Sequence, residues 1–159
     1  MQNIYKIKFI LGLSNWGKTT CIQKLFGVSG SFQSTYKGNY KTFNVGSKKA
    51  MTLQFSNCDL GFERYISELG MLLGQYESKD DVDFVVVALC CSSFDEMSKI
   101  LSFVEDKKVF DVELAFLEKH WNGVATLCID TMCKKLKDKN HRFTKVILSD
   151  SSECEDITW

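Results

Sequence analysis

The chain has 159 residues, one domain by length and enough to enclose a core. Hydrophobic residues make up 45% and charged residues 25%, a soluble globular mixture that excludes a disordered or fibrous chain. Twenty Lys and Arg balance twenty Asp and Glu, so net charge draws the chain neither to nucleic acid nor to an anionic membrane.

Seven cysteines, an odd number without a Cys-x-x-Cys pair, suit thiols packed in a reducing compartment better than a disulfide framework. The adjacent Cys90 and Cys91 point to opposite faces of a predicted strand and read as packing residues. His120 and His141 stand in no ligand-like spacing, so no structural metal is expected. Met1 to Lys8 lacks the apolar core of a signal peptide, and no apolar run reaches bilayer length. The expectation is a cytoplasmic protein with neither a membrane nor a nucleic acid as partner.

In chain order, the first feature is a short apolar run, Ile7 to Leu11, that reads as a buried strand and leads into a glycine-bounded loop. Gly12, Leu13, Ser14, Asn15, Trp16, Gly17, Lys18 and Thr19 match G-x-x-x-x-G-K-[ST] without a mismatch, and Thr20 follows at the head of an amphipathic helix. The residue types fit the capture of a phosphate chain. Glycines let backbone N–H groups turn inward, and a helix beginning near Gly17 aims its positive end at the same anion. Lys18 offers a mobile charge to the outer phosphates, and the Thr19 hydroxyl is a ligand for Mg²⁺.

Gly27 and Gly30 should end that helix, and a polar loop, Ser29 to Asn39, follows. Alternating residues predict a hairpin of Tyr40 to Val45 and Met51 to Ser56 around a turn at Gly46 to Lys49, leading into Asn57 to Gly61. Helical spacing covers Phe62 to Gln75. The β-branched run Asp83 to Cys91 predicts a central parallel strand. A helix over Ser93 to Val104 carries a capping box from Ser93 to Glu96. Further elements are a helix at Val109 to Trp121, a strand at Val124 to Ile129, a short basic helix at Met132 to Lys137 and a strand at Phe143 to Leu148. An acidic remainder, Ser149 to Trp159, reads as a loop or tail. Strands alternating with helices predict an α/β fold: a mostly parallel sheet covered on both faces, with an early antiparallel edge hairpin.

This order resembles the P-loop NTPase superfamily, and within it the small Ras-like GTPase domain. The likeness is good over about the first 95 residues and loose beyond. It implies a three-layer P-loop fold spanning the chain, with Mg²⁺ and GTP or ATP as cofactors, slow hydrolysis, and a protein partner that reads the nucleotide state. By the same resemblance, Asp59, 41 residues after Lys18, would hold Mg²⁺ through a water, and Thr35 or Thr42 would close over the metal. Glu63 would orient the attacking water. Asp130 is the candidate reader of the base, since no Asn-Lys-x-Asp motif is present, and guanine and adenine both stay open. Asp59-Leu60-Gly61 is one residue shorter than the family's Asp-x-x-Gly.

Two other functions fit the same motif. Gly12-Leu13-Ser14 with Gly17-Lys18-Thr19-Thr20 is also similar to the loop of adenylylsulfate kinases, although only Arg64 and Arg142 could clamp a transferring phosphoryl group. A nucleotide-binding module without turnover fits as well. Plain roles exist for the single residues: Asp59 and Asp130 as helix caps, Trp16 as an exposed ring, His120 as a charge at a helix end, and Lys134 to Lys137 as a solvated helix face.

Overall fold

The computed structural model describes residues 5–12, 18–28, 33–53, 55–107, 110–118, 129–141, 143 and 145–150. Its centre is β1 (Tyr5–Gly12), buried from Ile7 onward. Parallel partners flank it: β6 (Phe84–Cys90) on one side, with Gly12 level with Cys90, and β7 (Phe110–Glu118) on the other. Outside β6 lie β5 (Lys48–Thr52), parallel to it, and the antiparallel edge strand β4 (Phe43–Val45). Outside β7 lies β8 (Lys145–Asp150), again parallel. The sheet therefore runs β4-β5-β6-β1-β7-β8. The architecture is α/β with a mostly parallel sheet, as the alternation of strands and helices predicts.

Period-two alternation assigns the side chains to two layers. Ile7, Phe9 and Leu11 join Val85, Val87, Leu89, Val112, Leu114 and Phe116 under α3 (Phe62–Ser78) and α4 (Phe94–Lys107), with Leu136 of α5 (Ile129–Asp138) on the same side. Ile10, Val86, Ala88, Ala115 and Leu117 face the other way, under Cys21, Ile22 and Phe26 of α1 (Lys18–Phe26). Strands apolar on both faces read as continuous hydrophobic runs, which is why Asp83 to Cys91 is so legible in the sequence. Phe26 stacks on Phe43, ring centroids 4.6 Å apart, and ties α1 to the edge hairpin. Gly27, at φ 66°, closes α1 as predicted: its N–H donates to Lys24 and that of Val28 to Gln23. Ser93 caps α4, its hydroxyl accepting the Glu96 N–H at 3.2 Å.

Some expectations change, and one falls largely outside the described residues. Within the segment predicted as a helix at Val109 to Trp121, Phe110–Glu118 form the strand β7, because Val112, Leu114 and Phe116 alternate with Ala115 and Leu117 into the two layers. The strand expected at Val124 to Ile129 lies outside the described residues except for Ile129, which opens α5. The loop predicted from Ser29 to Asn39 contains β2 (Thr35–Tyr36), which pairs with β3 (Asn39–Tyr40) around Lys37 and Gly38, both at positive φ as a tight hairpin turn needs. Cys90 also does more than pack, since it is joined to Cys58 in a disulfide; Cys91 and Cys133 are free. No helix among the described residues is long and apolar enough to cross a membrane.

Two polar groups of the core need partners. Lys8 Nζ lies 2.8 Å from Glu113 Oε2, its cross-strand neighbour, with side-chain exposures of 7% and 20%. His141, buried just after α5, meets the Ser98 hydroxyl through Nε2 and the Glu105 carboxylate through Nδ1 at 3.2 Å. Asn140 at φ 64° turns the chain there, so that the His141 N–H donates back to Leu136. This trio has the order of a nucleophile, base and acid, and Ser98 borders a groove of about 420 Å³ between α3 and α4. Yet Ser98 sits inside α4, where backbone N–H groups serve the helix and none converges on an oxyanion. It fastens α5 to α4.

Removing one member of a buried ion pair strands the other charge. Lys8→Met is therefore expected to lower unfolding stability by about 3 kcal/mol, and the double change Lys8→Met/Glu113→Leu to restore most of it. Urea denaturation of the three proteins reads this; equal losses in the single and double variants would show that the pair is not energetically coupled.

Candidate functional site

In an open parallel sheet, ligands lie outside the carboxyl ends of the strands, where successive connections leave in opposite directions. That point is between β1 and β7: the chain leaves β1 toward β4 and β5, and leaves β7 toward β8. The loop matched in the sequence begins there. Gly12 ends β1 and Lys18 opens α1, while Leu13, Ser14, Asn15, Trp16 and Gly17 lie outside the described residues.

Lys18 is 6% exposed. Its pKa lies below 10.5 because burial penalises the ammonium, a shift opposed by the electrostatic influence of Cys91 and Asp59. Burial in turn pushes the Cys91 thiol up to about 12, against the pull of Lys18 and of a backbone hydrogen bond. Thr19 is half-buried and Thr20 exposed on the same first turn.

Asp59 comes within electrostatic range of Lys18 by an indirect route. The strand leading to it, β5, is not the neighbour of β1, because β6 lies between them. The register explains how the gap is crossed. β5 stops pairing at Thr52, opposite Val86, so the far end of β6 has backbone groups with no strand to receive them. Tyr65 donates its hydroxyl to the Ala88 carbonyl at 2.9 Å, and Asn57 Oδ1 accepts the Cys90 N–H at 2.7 Å. Asn57 Nδ2 donates to the Cys90 carbonyl and to Glu96, both at 3.5 Å. These bonds draw the four-residue helix α2 (Asn57–Leu60) across the end of β6, and the Cys58–Cys90 disulfide fastens it there. Cys91 N–H donates to the Gly12 carbonyl at 3.0 Å, so this end of β6 continues into the end of β1.

Within α2, Asp59 Oδ2 accepts from both the N–H and the hydroxyl of Ser56 at 3.1 Å. It is thus a capping residue, of the helix Asn57–Leu60 rather than of the one starting at Phe62, and also a charge felt by Lys18. Gly61, at φ 84° and ψ 155°, joins α2 to α3 in a conformation only glycine adopts readily.

Other sequence candidates fall elsewhere. Glu63 is exposed in the first turn of α3, two residues past Gly61. Thr35 is not brought to Lys18: its hairpin lies against the later turns of α3, where Gln75 accepts the Tyr40 N–H at 2.7 Å and donates to the Gly38 carbonyl. From Phe62 to Gln75 is roughly 20 Å along the helix axis. Thr42 precedes the edge strand β4, three strands from β1. Asp130 is exposed in the first turn of α5, where its charge acts on Cys133. Lys134, Lys135 and Lys137 are exposed on α5, as a solvated face requires. Trp16 and His120 lie outside the described residues. Among the described residues, no group of three His, Cys, Asp or Glu side chains is placed to hold a metal ion. Asn57, Ser56 and Cys58 were missed because their role depends on where β5 stops pairing.

The lowered pKa of Lys18 fixes the sign of a pH effect. Between that value and 10.5 the unfolded chain binds more protons than the folded one, so stability rises with pH across this window. Denaturant unfolding of wild type against Lys18→Met should show a wild-type deficit that shrinks as pH approaches 10.5. A difference independent of pH would mean that Lys18 is not desolvated. Comparison with protein-family models, curated proteins and solved structures finds no match to this chain.

Proposed function

We propose that this chain binds a Mg²⁺-bound nucleoside triphosphate, GTP or ATP, at the carboxyl end of β1 and hydrolyses it slowly as a nucleotide-dependent switch. The reading rests on one observation. A buried lysine follows a glycine-bounded loop at the switch point of a parallel sheet, with an acidic residue near enough to act on its charge. The amino end of a helix holds anions through its positive dipole end and its first-turn N–H groups, and a phosphate chain there would also meet the Lys18 ammonium.

The donors suit the metal. Thr19 and Asp59 offer hard oxygens, and Mg²⁺ takes one or two protein oxygens beside phosphates and water. In this reading Thr19 would ligate the ion and Asp59 would hold its water shell, while Lys18 would neutralise charge on the outer phosphates. Bound Mg²⁺ supplies charge stabilisation at the phosphates. Glu63 orients the attacking water from the first turn of α3.

Slow turnover follows from the scarcity of arginine. Arg64 pairs with Glu68 at 3.3 Å on an exposed part of α3. In this reading a protein partner supplies a stabilising cation, which is how such sites are commonly accelerated. It also weighs against a kinase, which needs a clamp for the phosphoryl group in transfer.

Calorimetry with Mg-ATP and Mg-GTP tests the reading, using Lys18→Ala and Asp59→Asn as comparisons and chromatography of the recovered nucleotide. Binding is expected in the micromolar range or tighter, lost in Lys18→Ala and weakened about ten-fold in Asp59→Asn, with diphosphate accumulating slowly. Absence of binding, with Lys18→Ala indistinguishable from wild type, would overturn it.

A further inference from the structure

The short helix that carries Asp59 has little of its own to hold it. Four residues form one turn, too short to persist in water without tertiary support. Its ties to β6 are the Asn57 hydrogen bonds to Cys90 and the Cys58–Cys90 disulfide, which links residues 32 positions apart with a Cα separation of 6.0 Å. That separation is in the ordinary range for a disulfide, so the bond forms without moving the backbone.

The two sulfurs differ in access. Cys58 is exposed and Cys90 fully buried. An attacking thiolate therefore reaches the Cys58 sulfur and expels Cys90. The Ser92 hydroxyl lies 3.2 Å from Cys90 Sγ and 3.5 Å from Cys58 Sγ. A disulfide sulfur carries no proton, so Ser92 is the donor, placed to stabilise the thiolate that leaves. Cys91 takes no part, since it is 5% exposed and engaged beside Lys18 in the layer under α3 and α4.

We propose that the Cys58–Cys90 disulfide is a redox latch on the nucleotide site: intact, it holds α2 and its Asp59 across the end of β6, level with the end of β1, and reduced, it loosens α2 and weakens Mg-nucleotide binding. This rests on the nucleotide-binding reading above. The step needs a dithiol as reductant. One thiolate bonds to Cys58 sulfur as the Cys58–Cys90 bond breaks and its electron pair departs on Cys90. The second thiolate then displaces Cys58 and closes the reagent's own disulfide. The protein gains two electrons and two protons, and the dithiol loses them. Reduction leaves α2 tied to β6 by the Asn57 hydrogen bonds and to the core by Leu60, and removes the covalent tie that limits how far Asp59 can move.

The test compares the full chain, oxidised and after dithiothreitol, with Cys58→Ser in both conditions, by calorimetry with Mg-ATP and Mg-GTP and by hydrogen exchange over residues 56–61. Reduction is expected to weaken wild-type binding about ten-fold and to speed exchange in that segment, with Cys58→Ser at the reduced value throughout. Binding that is unchanged by reduction yet still abolished by Lys18→Ala overturns the latch alone. A loss on reduction that persists in Cys58→Ser also overturns it, as do two free thiols at these positions in the oxidised protein by mass spectrometry. No binding in either state, with Lys18→Ala the same, overturns the function and the latch together.

Discussion

The parallel pairing of β1 with β6, Ile7 to Gly12 against Val85 to Cys90, is what the rest of the structure depends on. It brings the ends of the two strands level, so that the loop after Gly12 and the turn after Cys90 leave from the same edge. It also separates β1 from β5. A chain that places Asp59 after β5 must then carry it over the end of β6, and the unpaired backbone of β6 beyond Val86 supplies the handholds. Hydrogen-bond satisfaction, rather than hydrophobic burial, positions the acidic side of the candidate site.

The two sides of the site are held by different forces. Lys18 is carried by α1, whose Cys21, Ile22 and Phe26 bury themselves against the sheet and through Phe43 against the edge hairpin. Asp59 rides on a single turn held by the Asn57 amide, the Cys58–Cys90 disulfide and the packing of Leu60 on the core. The same contrast runs through the core, where Lys8 with Glu113 and His141 with Ser98 and Glu105 are polar groups kept inside because each has its partner.

Much of this was legible in the sequence where the cause is local. Gly27 ends α1 because the chain needs a positive φ there, and Ser93 starts α4 because its hydroxyl accepts the Glu96 N–H. The helix from Phe62 and the strand ending at Cys90 follow their apolar periods. β7 was misread because Asp111-Val112-Glu113-Leu114-Ala115-Phe116-Leu117 satisfies both a helical and an alternating pattern. Only the presence of two layers to receive Phe116 and Leu117 separately decides for the strand.

The amino-acid sequence by itself determined the α/β alternation, the glycine-bounded loop with Lys18 and Thr19, and the caps around it, since each is written within a few residues of the place where it acts. The tertiary structure alone decided the strand order, the disulfide of Cys58 with Cys90, the electrostatic reach of Asp59 to Lys18 and the placing of the Thr35 hairpin against the later turns of α3. These join residues between 32 and 41 positions apart, or depend on where one strand stops pairing with another. Pairing of that kind is set by competition among all the strands for the same backbone partners, and no local pattern records its outcome.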